Sequence, residues 1–122
     1  MATLNMGQAV MHLGRMEDAR GWLTQSVRLY HEIGDKDGLS ECFASFAILA
    51  NAANDFRRAA RLFGVASKLR EEAGTVPTRA DQLESEQAVG MTRSRLDPAT
   101  FEAAWAEGQA LTLDQAISFA VS

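Results

Sequence analysis

The 122-residue sequence has one Cys, two Pro, one Tyr, two Trp and only two Lys. One Cys excludes an internal disulfide, and one Cys with two His makes a poor metal site. No cofactor or metal is therefore expected. The sequence has no GxGxxG and no GxxxxGK followed by Ser or Thr, so the common phosphate-cradling loops are missing. No apolar run approaches the roughly 20 residues needed to span a bilayer. Positive charge is not in excess either. The formal net charge is −4, so no direct nucleic-acid contact and no binding to an anionic membrane are expected. Met1-Ala2-Thr3-Leu4-Asn5 lacks the basic start and apolar stretch of a secretory signal, which makes a cytoplasmic location the expectation.

Strand signals are scarce as well. Aromatic residues make up 7% of the chain, and β-branched and aromatic residues do not alternate. Ala, Leu, Glu and Arg are plentiful instead, with apolar residues recurring three and four apart. This pattern predicts an all-α chain of seven helical segments. The first four cover about residues 2–13, 16–33, 38–53 and 55–73. The fifth runs from Thr78 to about residue 94, the sixth opens at Asp97-Pro98 and stops near Gly108, and the last runs from Thr112 to about residue 121. Gly14, Gly34-Asp35-Lys36-Asp37 and Asn54-Asp55 separate the first four. An Asp at such a break can cap the helix that follows.

The second and fourth segments are related by a shift of 40 positions. Ala19 pairs with Ala59, Trp22 with Leu62, Leu23 with Phe63, Ser26 with Ala66, Leu29 with Leu69 and Gly34 with Gly74. Gly14 falls on Asn54, the other residue that readily takes the left-handed conformation. A helix pair at fixed period marks an α-solenoid, whose units must stack to bury their apolar faces.

The details resemble the tetratricopeptide repeat. Met6-Gly7, Val10, Gly14, Ala19 and Leu23 stand where that repeat places its Leu-Gly, Tyr, Gly, Ala and aromatic positions. Phe46-Ala47, Ala50, Asn54, Ala59 and Phe63 take the same places in a second unit. Thr3 and Phe43 fall at the usual Trp position, the closing Pro is absent, and the period of 40 exceeds the usual value of about 34. More of the chain is similar to the C-terminal helical region of bacterial LuxR-type transcriptional regulators and related signalling ATPases. Leu4-Asn5-Met6-Gly7, Gly34-Asp35-Lys36-Asp37-Gly38, Arg58-Ala59-Ala60-Arg61-Leu62-Phe63-Gly64 and Phe101-Glu102-Ala103-Ala104-Trp105-Ala106-Glu107-Gly108 carry this resemblance in order. It implies a module of transcription regulation or signal transduction, preceded in the full protein by a nucleotide-binding module.

The expected fold is a tetratricopeptide-like α-solenoid. Residues 1–74 form two helical hairpins and residues 75–122 a C-terminal helical cap. The cap lacks the Gly/Ala register of the hairpins, as a terminal unit should. Residues 1–96 are neutral overall, so the whole −4 rests on Asp97, Glu102, Glu107 and Asp114. A solvent-facing acidic surface is the simplest account of it. Arg57, Arg58 and Arg61 cluster on the fourth segment and could take an acidic partner or phosphate. A solvated face with local ion pairs to Asp55, Glu71 and Glu72 nearby is the favoured alternative.

Catalytic chemistry has little to work with. Cys42 sits beside Phe43 on a helix and reads as a packing residue, and neither His12 nor His31 can be placed beside it. A non-enzyme is expected. The family register instead implies partner binding along the first helix of each hairpin. Leu4, Gln8, Met11 and His12 are the candidates in the first unit, and Glu41, Ala44, Ile48, Asn51 and Ala52 in the second. Burial of some of these positions by the C-terminal helices is the competing reading. The expected partner is a protein segment or another module of the same regulator. The alternative is a free-standing adaptor acting by partner binding or self-association. If the first helix leaned on a preceding repeat, its outer face is uncovered here, and a homodimer would bury it.

Overall fold

A computed structural model describes residues 16–74 and 78–122. Every regular element among them is a helix. In chain order these are α1 (Met16–Ile33), α2 (Lys36–Ala52), α3 (Phe56–Ala73), α4 (Arg79–Arg95), α5 (Pro98–Ala110) and α6 (Leu113–Val121). The helix expected over residues 2–13 lies outside the described residues.

Local chemistry sets the boundaries. Asp35 caps α2 by accepting a bond from the Gly38 amide at 3.0 Å, so the helix opens at Lys36, two residues before the expected start. Gly38 lies inside α2 and lets the Tyr30 ring pack onto its backbone, where a Cβ would collide. Asp55 caps α3 through the Arg58 amide at 3.3 Å. Asp97 caps α5 by accepting from the Thr100 amide at 3.1 Å, with Pro98 at the first helical position. Leu96 and Phe101, on either side of that cap, pack into one apolar cluster. Thr112 and Gln115 form the expected reciprocal capping box of α6. Gly108 does not stop α5, which continues to Ala110. Gly34 (φ +73°), Gly74 (φ +69°) and Asn54 (φ +62°) all take the left-handed conformation, so the equivalence of Gly34 and Gly74 holds in the backbone.

The α2–α3 hairpin is the most extensive helix contact, followed by α3 against α5 and α1 against α2. Leu23 and Val27 of α1, Phe43 of α2 and Leu62 of α3 have no exposed surface. Each such side chain contributes about 1.5–3 kcal/mol by leaving water. Ala19, Ala47 and Ala59 are equally buried, and small residues there let the helices approach closely. Leu29 and Leu69, equivalent in sequence, differ in fate: Leu69 is buried and Leu29 is 39% exposed.

The core continues past residue 74. Val89, Trp105, Leu113 and Phe119 pack against it, and Ala116 and Ala120 are buried within it. The contact of α3 with α5 is made by glycine. A Cβ on Gly64 would strike the Trp105 carbonyl oxygen, and one on Gly108 would strike that of Arg61. Phe101, Ala60 and Ala104 form a second buried cluster across the same contact.

Candidate interaction surfaces

Helix α2 has two faces. Phe43, Phe46, Ala47 and Ala50 are buried on one of them. Along the other, Glu41 and Ala52 are exposed, and Ala44 and Ile48 are half-buried. Four of the five candidate groove residues in α2 therefore keep open surface. Asn51 does not. It is buried, its Nδ2 donates to the Ala88 carbonyl at 3.2 Å, and its Oδ1 accepts from the Thr92 hydroxyl at 2.8 Å. The structure thus corrects Asn51 from a partner-binding to an internal residue, because α4 covers it and satisfies its amide. Leu4, Gln8, Met11 and His12 lie outside the described residues.

The cationic cluster on α3 faces the cap. Glu107 of α5 pairs with both Arg61 and Arg57, the latter at 3.5 Å. The Arg61 hydrogen bond is the main reason the Glu107 carboxyl sits below its ordinary value. Arg58 donates to the Phe119 carbonyl at 2.6 Å and the Ala120 carbonyl at 3.2 Å, at the end of α6. Arg20 of α1 reaches the same end, at Val121 and Ser122. The two guanidiniums satisfy carbonyls that a helix C-terminus leaves open. Arg58 and Arg61 also lie over the Phe119 ring, 4.4 and 4.8 Å from its centre. Ion pairing holds for Arg57 and Arg61, with Glu107 of the cap as the partner, whereas Arg58 is held by carbonyls of α6 rather than standing on a solvated face. Asp55 caps α3, and Glu72 pairs with Lys36 at 3.3 Å.

A sequence profile of the tetratricopeptide repeat matches residues 1–72. The chain belongs to the tetratricopeptide repeat family. Comparisons with curated proteins and with solved structures find no match. Helix α1 and the α2–α3 pair lie within the matched residues. The family's small positions at Ala47 and Ala59, its Tyr position at Ala50 and its aromatic position at Phe63 are all buried. Tetratricopeptide repeats serve as protein-interaction modules, and that general role is this chain's.

Potentially reactive groups of the tetratricopeptide body have structural surroundings. Cys42 is fully buried, and burial, then the charges of Glu41 and Asp35, push its thiol up to about 12. A nucleophilic thiol needs the opposite shift. His31 faces Asp114 of α6 across 3.5 Å at the protein surface. Among the described residues, no three His, Cys, Asp or Glu side chains converge as metal ligands, and no helix is long and apolar enough to cross a membrane. Sequence reading missed the glycine contact between α3 and α5. Nothing in a single helix distinguishes Gly64 or Gly108 from a helix-weakening glycine until the partner helix is in place.

Proposed function

We propose that the chain is a non-catalytic interaction module. Its α2 face, with Glu41, Ala44, Ile48 and Ala52, would receive a protein segment together with Leu4, Gln8, Met11 and His12 of the preceding helix. The observation that carries this reading is the division of α2 into a buried face and a face on which Glu41 and Ala52 are exposed and Ala44 and Ile48 half-buried. Asp37 and Glu41 are the charged residues of the open face, which suits a neutral or basic segment better than an acidic one. Residues 75–122 would act as the cap that closes the array.

The resemblance to LuxR-type regulators supports a more specific role. The module would sit in the cytoplasm at the C-terminal side of a nucleotide-binding module, bind part of it, and bias its activity. A free-standing adaptor is the alternative, and self-association through the first helix belongs to that reading. The reading frame upstream of Met1 separates the two. A fused ATPase-type module supports the regulator, and a start codon with its own ribosome site overturns it. With that module in hand, Ala44→Arg is expected to weaken its binding by about tenfold or more without changing the helical spectrum. Unchanged affinity would remove the α2 face from the interaction. Light scattering that finds only monomer at high concentration would remove the homodimer.

A further inference from the structure

A cavity of about 220 Å³ lies between α3, the first residue of α2 and the turn joining α5 to α6. None of Glu41, Ala44, Ile48 or Ala52 lines it, so it is separate from the proposed groove. Its walls are aliphatic, with Val65 and Leu69 from α3, Leu111 from the turn and Leu113 from α6. Its polar groups are Lys36, Lys68 and Glu72. The two lysines are the only ones in the chain. Lys36 is engaged by Glu72 at 3.3 Å. Lys68 reaches only the neutral Leu111 carbonyl, at 3.5 Å, and has no carboxylate partner among the described residues. The cavity therefore presents one uncompensated ammonium above an apolar floor.

We propose that this cavity binds a small monocarboxylate with an apolar body, its carboxylate on Lys68 and its body against Val65, Leu69 and Leu113. Size and charge choose this class. The volume exceeds the roughly 150 Å³ that accommodates one benzene ring and falls short of the roughly 300 Å³ at which pockets for larger ligands begin. One ring or a short aliphatic chain fits. A single negative charge matches the net single positive charge of the lysines and Glu72. A dianion such as phosphate would face the Glu72 carboxylate and leave the aliphatic walls unfilled. A cation would face two ammoniums. A peptide segment would bring unsatisfied backbone groups onto the apolar floor. The occupant bridges α3 and α6, so its binding ties the cap to the tetratricopeptide hairpin.

The test is a titration of the whole chain, followed by methyl and amide resonances, with phenylacetate, its neutral amide, inorganic phosphate and a short acidic peptide as probes. Phenylacetate is expected to saturate, with the largest shifts at Leu69, Leu111 and Leu113. Lys68→Gln should weaken phenylacetate about tenfold or more, the effect of losing a charge-assisted hydrogen bond, while Lys68→Arg retains binding. The amide should bind the wild type as weakly as phenylacetate binds Lys68→Gln. Lys68 is a half-buried surface residue, so both variants should melt with the wild type. Failure of phenylacetate to saturate would overturn the proposal. So would equal binding of acid and amide, tighter binding of phosphate or the peptide, or shifts confined to Glu41–Ala52. The last result would bear on the α2 face and leave the cavity empty of a role.

Discussion

The α2–α3 hairpin and the segment α4–α6 are held by different chemistry. In the hairpin, Phe43, Phe46, Leu62 and Phe63 interlock over small residues, and the contact is apolar along most of its length. In α4 no large side chain is buried. Thr92 is its fully buried residue, tied to Asn51 by a hydrogen bond, while Leu83 and Met91 face outward at 45% and 44% exposure. Helix α5 approaches α3 closely because Gly64 and Gly108 have no side chain to separate them. Helix α6 is short, and two arginines from the tetratricopeptide body grip its end. A repeat unit can rely on a non-directional hydrophobic stripe because every neighbour offers a similar one. The α4–α6 segment lacks such a repeated stripe, and directional bonds and close backbone contact fix its position.

The sharpest test of that contrast is truncation of an aromatic residue in each part. Phe43→Ala should cost about 3–5 kcal/mol in urea unfolding, since its site is enclosed on all sides. Phe101→Ala should cost less, because the cluster around it is small. Equal losses would mean that the cap is cored as deeply as the hairpin.

Next in size are the glycines. Gly108→Ala and Gly64→Ala should each destabilise by about 1–3 kcal/mol, because the new methyl meets backbone that has little room to yield. Gly90→Ala in α4 should do the opposite and stabilise by about 0.5–1 kcal/mol, since a Cβ there meets nothing within 4 Å. A common sign for all three would refute the close-contact account of α5.

Asn51→Ala should cost about 0.5–1.5 kcal/mol by removing the bonds that tie α2 to α4, while the Thr92 hydroxyl keeps the Ala88 carbonyl as its acceptor at 3.1 Å. Its signature is local. Amide exchange should quicken in α4 while α2 and α3 keep their protection. Uniform acceleration along the chain would show that α4 is not separately held.

A smaller effect depends on pH. The Glu107 carboxyl is held below its ordinary value of 4.5 by the hydrogen bond and charge of Arg61, then by Arg57. A depressed carboxylate stabilises the folded state fully above the unfolded value, and this stabilisation is lost as pH falls through the folded value. Glu107→Gln should therefore lower the melting temperature slightly at neutral pH and lose that effect in acid. Added salt should shrink the difference, because the pair is exposed to solvent. The least visible result concerns Cys42. Its thiol stays protonated at neutral pH, so a thiol reagent should label it only after unfolding. Rapid labelling of the native protein would mean that the hairpin opens readily.

The acidic end shows where sequence reading reached its limit. The position of the −4 was legible, but its purpose was not. Three of its four carboxylates have defined partners in the fold. Asp97 caps α5, Glu107 bridges Arg57 and Arg61, and Asp114 faces His31. Asp97, Glu102 and Asp114 are exposed, as the acidic surface requires, and Glu107 alone is the complement of an arginine cluster forty-six to fifty residues away. Exposure along α2 was legible to a similar degree. Register alone selected Glu41, Ala44, Ile48 and Ala52, and it also selected Asn51, whose partners come from a helix outside the repeat.

Sequence by itself determined the six described helices, the caps at Asp35, Asp97 and Thr112, the left-handed turns at Gly34, Asn54 and Gly74, and the buried stripes of α1, α2 and α3. These follow from local conformational preference and from spacing within one helix, which are properties of neighbours along the chain. Tertiary structure alone decided the Gly64–Gly108 contact, the burial of Asn51, the grip of Arg20 and Arg58 on α6, and the cavity that gathers Lys36 and Lys68. Each of these depends on which residues of two helices face one another, and pairing between distant helices leaves no period in the sequence.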